Sequence, residues 1–124
     1  MVSRVIHFEI PAYKSDRAVD FYRKVFGWKI DKYGSGAMNY WLVTTGGDKE
    51  PGINGAIAEK DERHPSTINT VSVPSFEEAV QRIEEAGGKV LTPKMAVPGV
   101  GYMASCEDTE GNIFGIIQMD PIAK

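Results

Sequence analysis

The chain has 124 residues, 42% of them apolar, 25% charged and 10% aromatic, which suits one globular domain long enough to bury a core. That balance excludes a disordered chain, and the lone Cys106 excludes an internal disulfide. Fourteen basic and seventeen acidic residues give a net charge of −3, scattered along the sequence, so neither a phosphate-tracking surface nor an anionic-membrane anchor is expected. No apolar run approaches the ~20 residues of a membrane span and no secretory leader is readable. The expectation is a cytoplasmic protein with neither nucleic acid nor membrane as partner.

Residues 2–12 read as a strand in which Ile6, Phe8 and Ile10 alternate with His7 and Glu9. The more apolar set should face a helix, leaving His7 and Glu9 on the opposite face. A helix follows: Ala18, Phe21, Tyr22, Val25 and Phe26 form one stripe, with Ser15 or Asp16 available as N-cap and Gly27 as terminator. Strands are expected at 28–32, 39–45 and 54–59, parted by the turns Gly34-Ser35-Gly36 and Gly46-Gly47-Asp48. Residues 61–66 are polar, contain Pro65 and read as a linker.

After the linker the pattern repeats. Residues 68–73 read as a strand, and Ser75-Phe76-Glu77-Glu78 as a capping box that opens a helix with the stripe Phe76, Ala79, Val80 and Ile83. Gly87-Gly88 ends that helix, and strands follow at 89–92, 102–107 and 113–118. At a shift of 61 residues, Ile10 falls on Val71, Ala18-Val19 on Ala79-Val80, Tyr22 on Ile83, Gly27 on Gly88 and Ile30 on Leu91. The reading is an α+β domain over 1–124. It consists of two tandem βαβββ modules at about 3–60 and 67–120, with the Pro98-Gly99-Val100-Gly101-Tyr102 run as a mobile lip.

The run Val5 to Ile10, the helix end Phe21-Tyr22-Arg23-Lys24-Val25-Phe26-Gly27-Trp28, the segment Glu84 to Val90 and the turn Asp108 to Asn112 resemble the vicinal-oxygen-chelate superfamily. Glyoxalase I, bleomycin-resistance proteins and extradiol dioxygenases belong to it. The resemblance implies curved mixed sheets enclosing a cavity, a small-molecule ligand and a homodimer. It also implies a metal ligand on the first and last strand of each module. Carried over by position, the ligand sites fall on His7, near Gly55, on Ile68 and on Gly115, so only His7 offers a donor atom. A cavity that binds a small organic molecule without the usual metal is therefore expected, with no cofactor and with His7 and Glu9 as an acid–base pair or as polar anchors for the ligand. A metal-dependent lyase, isomerase or dioxygenase using His7 with Glu9 or Glu59 is the alternative, with His64 required to fold back; a sequestering protein without turnover is another.

Tyr40, Trp41, Tyr102, Met103 and Met38 are candidates to wall the pocket, with the core as the competing placement. Which of Tyr40 and Trp41 faces inward depends on a register that the sequence leaves open. Cys106 sits mid-strand with no basic neighbour and reads as a small buried hydrophobe rather than a nucleophile.

Overall fold

The structure, a computed structural model, describes residues 3–34, 39–61 and 65–124. Its elements are β1 (Arg4–Ala12), α1 (Ser15–Phe26), β2 (Lys29–Lys32), β3 (Tyr40–Thr44), β4 (Asn54–Glu59), β5 (Ile68–Ser72), α2 (Phe76–Glu85), β6 (Lys89–Val90), β7 (Met95–Val97), β8 (Gly101–Glu107) and β9 (Ile113–Met119). This is the α+β, tandem βαβββ order expected from the sequence, with the short strand β7 added. Contacts divide the chain into two compact units, His7–Ile68 and Asn69–Lys124, the second taking in the residues up to Ile6.

In the first unit the strand order is β2-β3-β4-β1, antiparallel except where β1 runs parallel to β4. Ala12, Val19, Ile30, Val43 and Ile57 form its buried core, with Phe8, Ile10, Ala18 and Tyr22 packed against it. Burying each of Val19, Ile30, Val43 and Ile57 stabilises the fold by about 1.5–3 kcal/mol through removal from water. A Cβ on Gly55 would lie 2.4 Å from the Phe8 carbonyl oxygen and 2.6 Å from its ring, so glycine lets β4 close on β1. The helix turns its Ala18–Val19–Tyr22 side to the core. Phe21, Val25 and Phe26, expected in the buried stripe, are each more than half exposed. The C-terminal half of α1 is instead bound by rings: Trp28 stacks on Tyr22 and on Phe26, both at 5.2 Å between centroids. The N-cap is Lys14, without a side-chain cap bond, rather than Ser15 or Asp16.

The second unit has the order β5-β9-β8-β6, with β7 also paired on β8 and β5 parallel to β9. Ser75 Oγ accepts the Glu78 amide at 3.2 Å and so caps α2 as the sequence indicates. At the far end, Gly87 donates to the Glu84 carbonyl and Gly88 to that of Ile83, with Gly87 at φ 95°. That doubly bonded left-handed termination is one that glycine adopts without strain. Phe76, Ala104, Cys106 and Ile116 form the core beneath α2. Burial pushes the Cys106 thiol up to about 11, which suits the inert, packed role.

The expected lip is a tied-down turn. Residues 98–100 close the β7–β8 hairpin, with the Val100 amide donating to the Val97 carbonyl at 2.9 Å. The Gly99 amide donates to the Ala123 carbonyl, and the Asp120 amide to that of Val100. The glycine richness thus serves a tight turn and close strand packing, not mobility.

The pairing registers also correct the match between modules. Glu9 pairs with Ala56, and Thr70, its counterpart on β5, pairs with Gly115. Gly115 therefore corresponds to Ala56 and not to Gly55. Ile30 pairs with Val43 and Val90 with Cys106, so Ile30 corresponds to the half-buried Val90, while Leu91 is exposed. The shift of 61 slips because α2 closes on Gly87, one residue earlier than the repeat of Gly27 requires.

Candidate functional site

Strand alternation decides which side chains of β1 are available. Phe8 and Ile10 pack on the core that α1 covers, so His7 and Glu9 project from the other face. Tyr40 joins them from β3, two strands away. Its hydroxyl donates to Glu9 Oε2 at 2.7 Å and stands 3.3 Å from His7 Nε2. The strand between carries Ala58 opposite Tyr40 and Ala56 opposite Glu9, so only methyl groups lie under the path of the phenol. His7 Nε2 is 3.9 Å from Glu9 Oε2.

Access to this trio runs through His7, whose side chain is 30% exposed against 14% for Glu9. Burial, followed by the charge and hydrogen bond of Glu9 and the neighbouring Tyr33, raises the Tyr40 hydroxyl well above its ordinary range. Tyr40 is therefore a hydrogen-bond donor and not a base. Tyr33 meets it edge-on at 5.7 Å between ring centroids.

The four described aromatic and methionine candidates are parted. Trp41 lies on the α1 side among the core of the first unit, with Lys32 Nζ 4.8 Å above its ring and its indole N–H buried without a partner. Tyr102 packs on the α2 side of the second unit, under Lys94 Nζ at 4.6 Å. Tyr40 and Met103 alternate to the opposite faces of their own strands. Trp41 and Tyr102 are thus half-buried residues that pack against the two cores. Glu59 pairs with Ala12 on the α1 side, away from His7 and Glu9. Met38 and His64 lie outside the described residues. Two hollows among the described residues, of about 100 Å³ around Gly46–Asn54 and about 70 Å³ beside Pro74 and Arg82, contain none of the trio.

A family model, Glyoxalase/Bleomycin resistance protein/Dioxygenase superfamily, matches residues 4–116. The chain belongs to this superfamily. A glyoxylase-like domain-containing protein of Didymella fabae is 30% identical over 113 residues, covering 87% of this chain and 88% of that one. Among solved structures, a hypothetical protein of Bacillus halodurans C-125 superposes with a TM-score of 0.70 at 12% identity, covering 100% of this chain and 99% of that one. Methylmalonyl-CoA epimerase from Mycobacterium tuberculosis gives 0.67 at 12% identity, covering 94% and 88%. At such identities the structural likeness establishes the fold alone.

With the superfamily's arrangement of one ligand on the first and last strand of each module, the pairing register assigns the four positions to His7, Ala56, Ile68 and Gly115. Three of these have no donor atom. Among the described residues, no group of three or more His, Cys, Asp or Glu side chains is placed to hold a metal ion. His7 also directs Nε2, a nitrogen able to bind metal, at the Tyr40 hydroxyl. The residues present do not fit the usual three-ligand centre. The same register adds what the sequence leaves open: Tyr40, there a pocket-wall candidate, stands with His7 and Glu9. Its position two strands away, above a pair of alanines, is the only signal, and it becomes legible once β3 is aligned on β4. No described helix is long and apolar enough to cross a membrane.

Proposed function

We propose that this protein binds a small organic molecule at the His7–Glu9–Tyr40 face and acts on it by hydrogen bonding and proton transfer rather than through a divalent metal. The observation that carries this reading is the trio itself. A half-buried tyrosine and a carboxylate orient an imidazole that keeps solvent access, the arrangement expected of a positioned acid–base group. A thermal-shift screen against aldehydes, catechols and glycopeptides tests it. A ligand at a hundred times its Kd stabilises by about 2.7 kcal/mol, and His7→Ala should abolish the shift. Elemental analysis of protein purified without a metal-affinity tag tests the other half. Stoichiometric transition metal that disappears with His7→Ala would return the protein to metal-dependent lyase or dioxygenase chemistry.

We further propose a homodimer. The exposed Phe21, Val25 and Phe26 on α1 give a contiguous apolar face for it. Light scattering should give twice the chain mass at micromolar concentration, and Phe21→Ser with Phe26→Ser should return it to one. A monomer in the unaltered protein rejects the assembly.

A further inference from the structure

Tyr40 has a single hydroxyl proton, and the geometry commits it. The hydroxyl donates to Glu9 Oε2 at 2.7 Å, so only oxygen lone pairs remain for His7 Nε2 at 3.3 Å. A neutral imidazole presenting a bare nitrogen there would set two acceptors against each other. Glu9 Oε2, 3.9 Å from the same nitrogen, adds a negative charge that favours a proton on Nε2. We propose that Glu9 and Tyr40 fix neutral His7 as its Nε2–H tautomer, so that Nδ1 is the nitrogen whose lone pair is offered to a bound molecule.

The consequence is a statement about ligand chemistry. Nδ1 then accepts, and the molecule it meets presents a donor at that point: a hydroxyl, an N–H, or a carbon acid activated by a neighbouring carbonyl. A ligand that offers only lone pairs there is disfavoured. Tyr40 and Glu9 are positioning residues in this scheme, because both act through the imidazole. The proposal deepens the function put forward above and depends on it only for the existence of a ligand.

The tautomer is read by long-range ¹H–¹⁵N NMR of the imidazole in the ligand-free, full-length chain, at a pH where His7 is neutral. The expected spectrum has Nε2 pyrrole-like and Nδ1 pyridine-like, with Nε2–H favoured by about tenfold or more, since a charge-assisted hydrogen bond decides the balance. Glu9→Gln keeps an oxygen for the tyrosine proton and should retain that tautomer. Glu9→Leu leaves the hydroxyl free to donate to Nε2 and should invert it to Nδ1–H. A purely structural Glu9 would lower stability in Glu9→Leu without inversion, which amide dispersion and the tautomer read together would reveal. Nδ1–H in the unaltered protein, or an unchanged tautomer in folded Glu9→Leu, overturns the proposal. The unaltered protein alone supplies a deciding spectrum should Glu9→Leu fail to fold. The expected tautomers without any ligand in the thermal-shift screen would leave this proposal standing and defeat the functional one.

Discussion

The two modules share a backbone plan and differ where their open sheet faces carry chemistry. In the first, the pairing registers bring His7, Glu9 and Tyr40 together. At the corresponding places in the second stand Ile68, Thr70 and Met103, the last opposite Ile117 on β9 as Tyr40 is opposite Ala58 on β4. One module thus presents an imidazole, a carboxylate and a phenol, and the other an isoleucine, a hydroxyl and a thioether. The cores beneath are alike: Val43 beside Ile30 in one, Cys106 beside Val90 in the other. A duplicated core can stay apolar by packing alone, whereas a polar trio persists only if each member finds a partner. The first module pays that requirement with the Tyr40–Glu9 bond and two alanines under the phenol.

Making the first module resemble the second should therefore cost more than changing the second within its own chemistry. Tyr40→Met removes a hydrogen bond to an ionised group in a part-buried setting, an interaction typically contributing about 1.5–3 kcal/mol. Urea denaturation should show a loss of about 2 kcal/mol. Met103→Leu keeps volume and apolarity and should cost less than about 1.5 kcal/mol. Equal losses at the two sites would break the contrast, and would mean that the trio is not held by its polar contacts.

What could be read from sequence divides along the same line. The alternation of β1 put His7 and Glu9 on one face because the competing set, Phe8 and Ile10, is plainly more apolar. Ser75 marks the start of α2, and residues 54–59 are legible as β4, since local chemistry alone settles these. Tyr40 and Trp41 could not be told apart. They are adjacent on one strand, both aromatic, and only the pairing with Ala58 and Ile57 assigns one to each face. The exposed Phe21, Val25 and Phe26 escaped for a related reason. A helical stripe says which residues share a side, but the covering sheet decides how much of that side is buried. Strand β7 was invisible because its three residues lie between Pro93 and Pro98, and partner β8 rather than propensity makes them a strand.

The smallest expected effect contrasts the turns that join the last two strands of each module. Between β3 and β4 a neutral amide and a carboxylate share the work, Asn54 Oδ1 accepting the Thr45 amide at 2.9 Å and Glu50 Oε1 the Gly47 amide at 2.9 Å. Between β8 and β9 a carboxylate does it: Asp108 Oδ1 accepts the amides of Glu110 at 2.8 Å and Asn112 at 2.9 Å, and Oδ2 accepts Asn112 Nδ2 at 3.1 Å. Those bonds, the Asn112 amide first, hold the Asp108 carboxyl below the usual carboxylate range. A group whose folded value is depressed contributes fully above its unfolded value, about 3.9 for aspartate, and loses that contribution as the pH falls through the folded value. Asp108→Asn keeps an oxygen for both amides but removes the charge. Its small deficit against the unaltered protein should hold from neutral pH down to about 4 and shrink below that, when urea midpoints are followed with pH. A deficit that does not change with pH would show that the shape of the side chain, rather than its charge, holds this turn, and the two turns would then differ in sequence but not in kind.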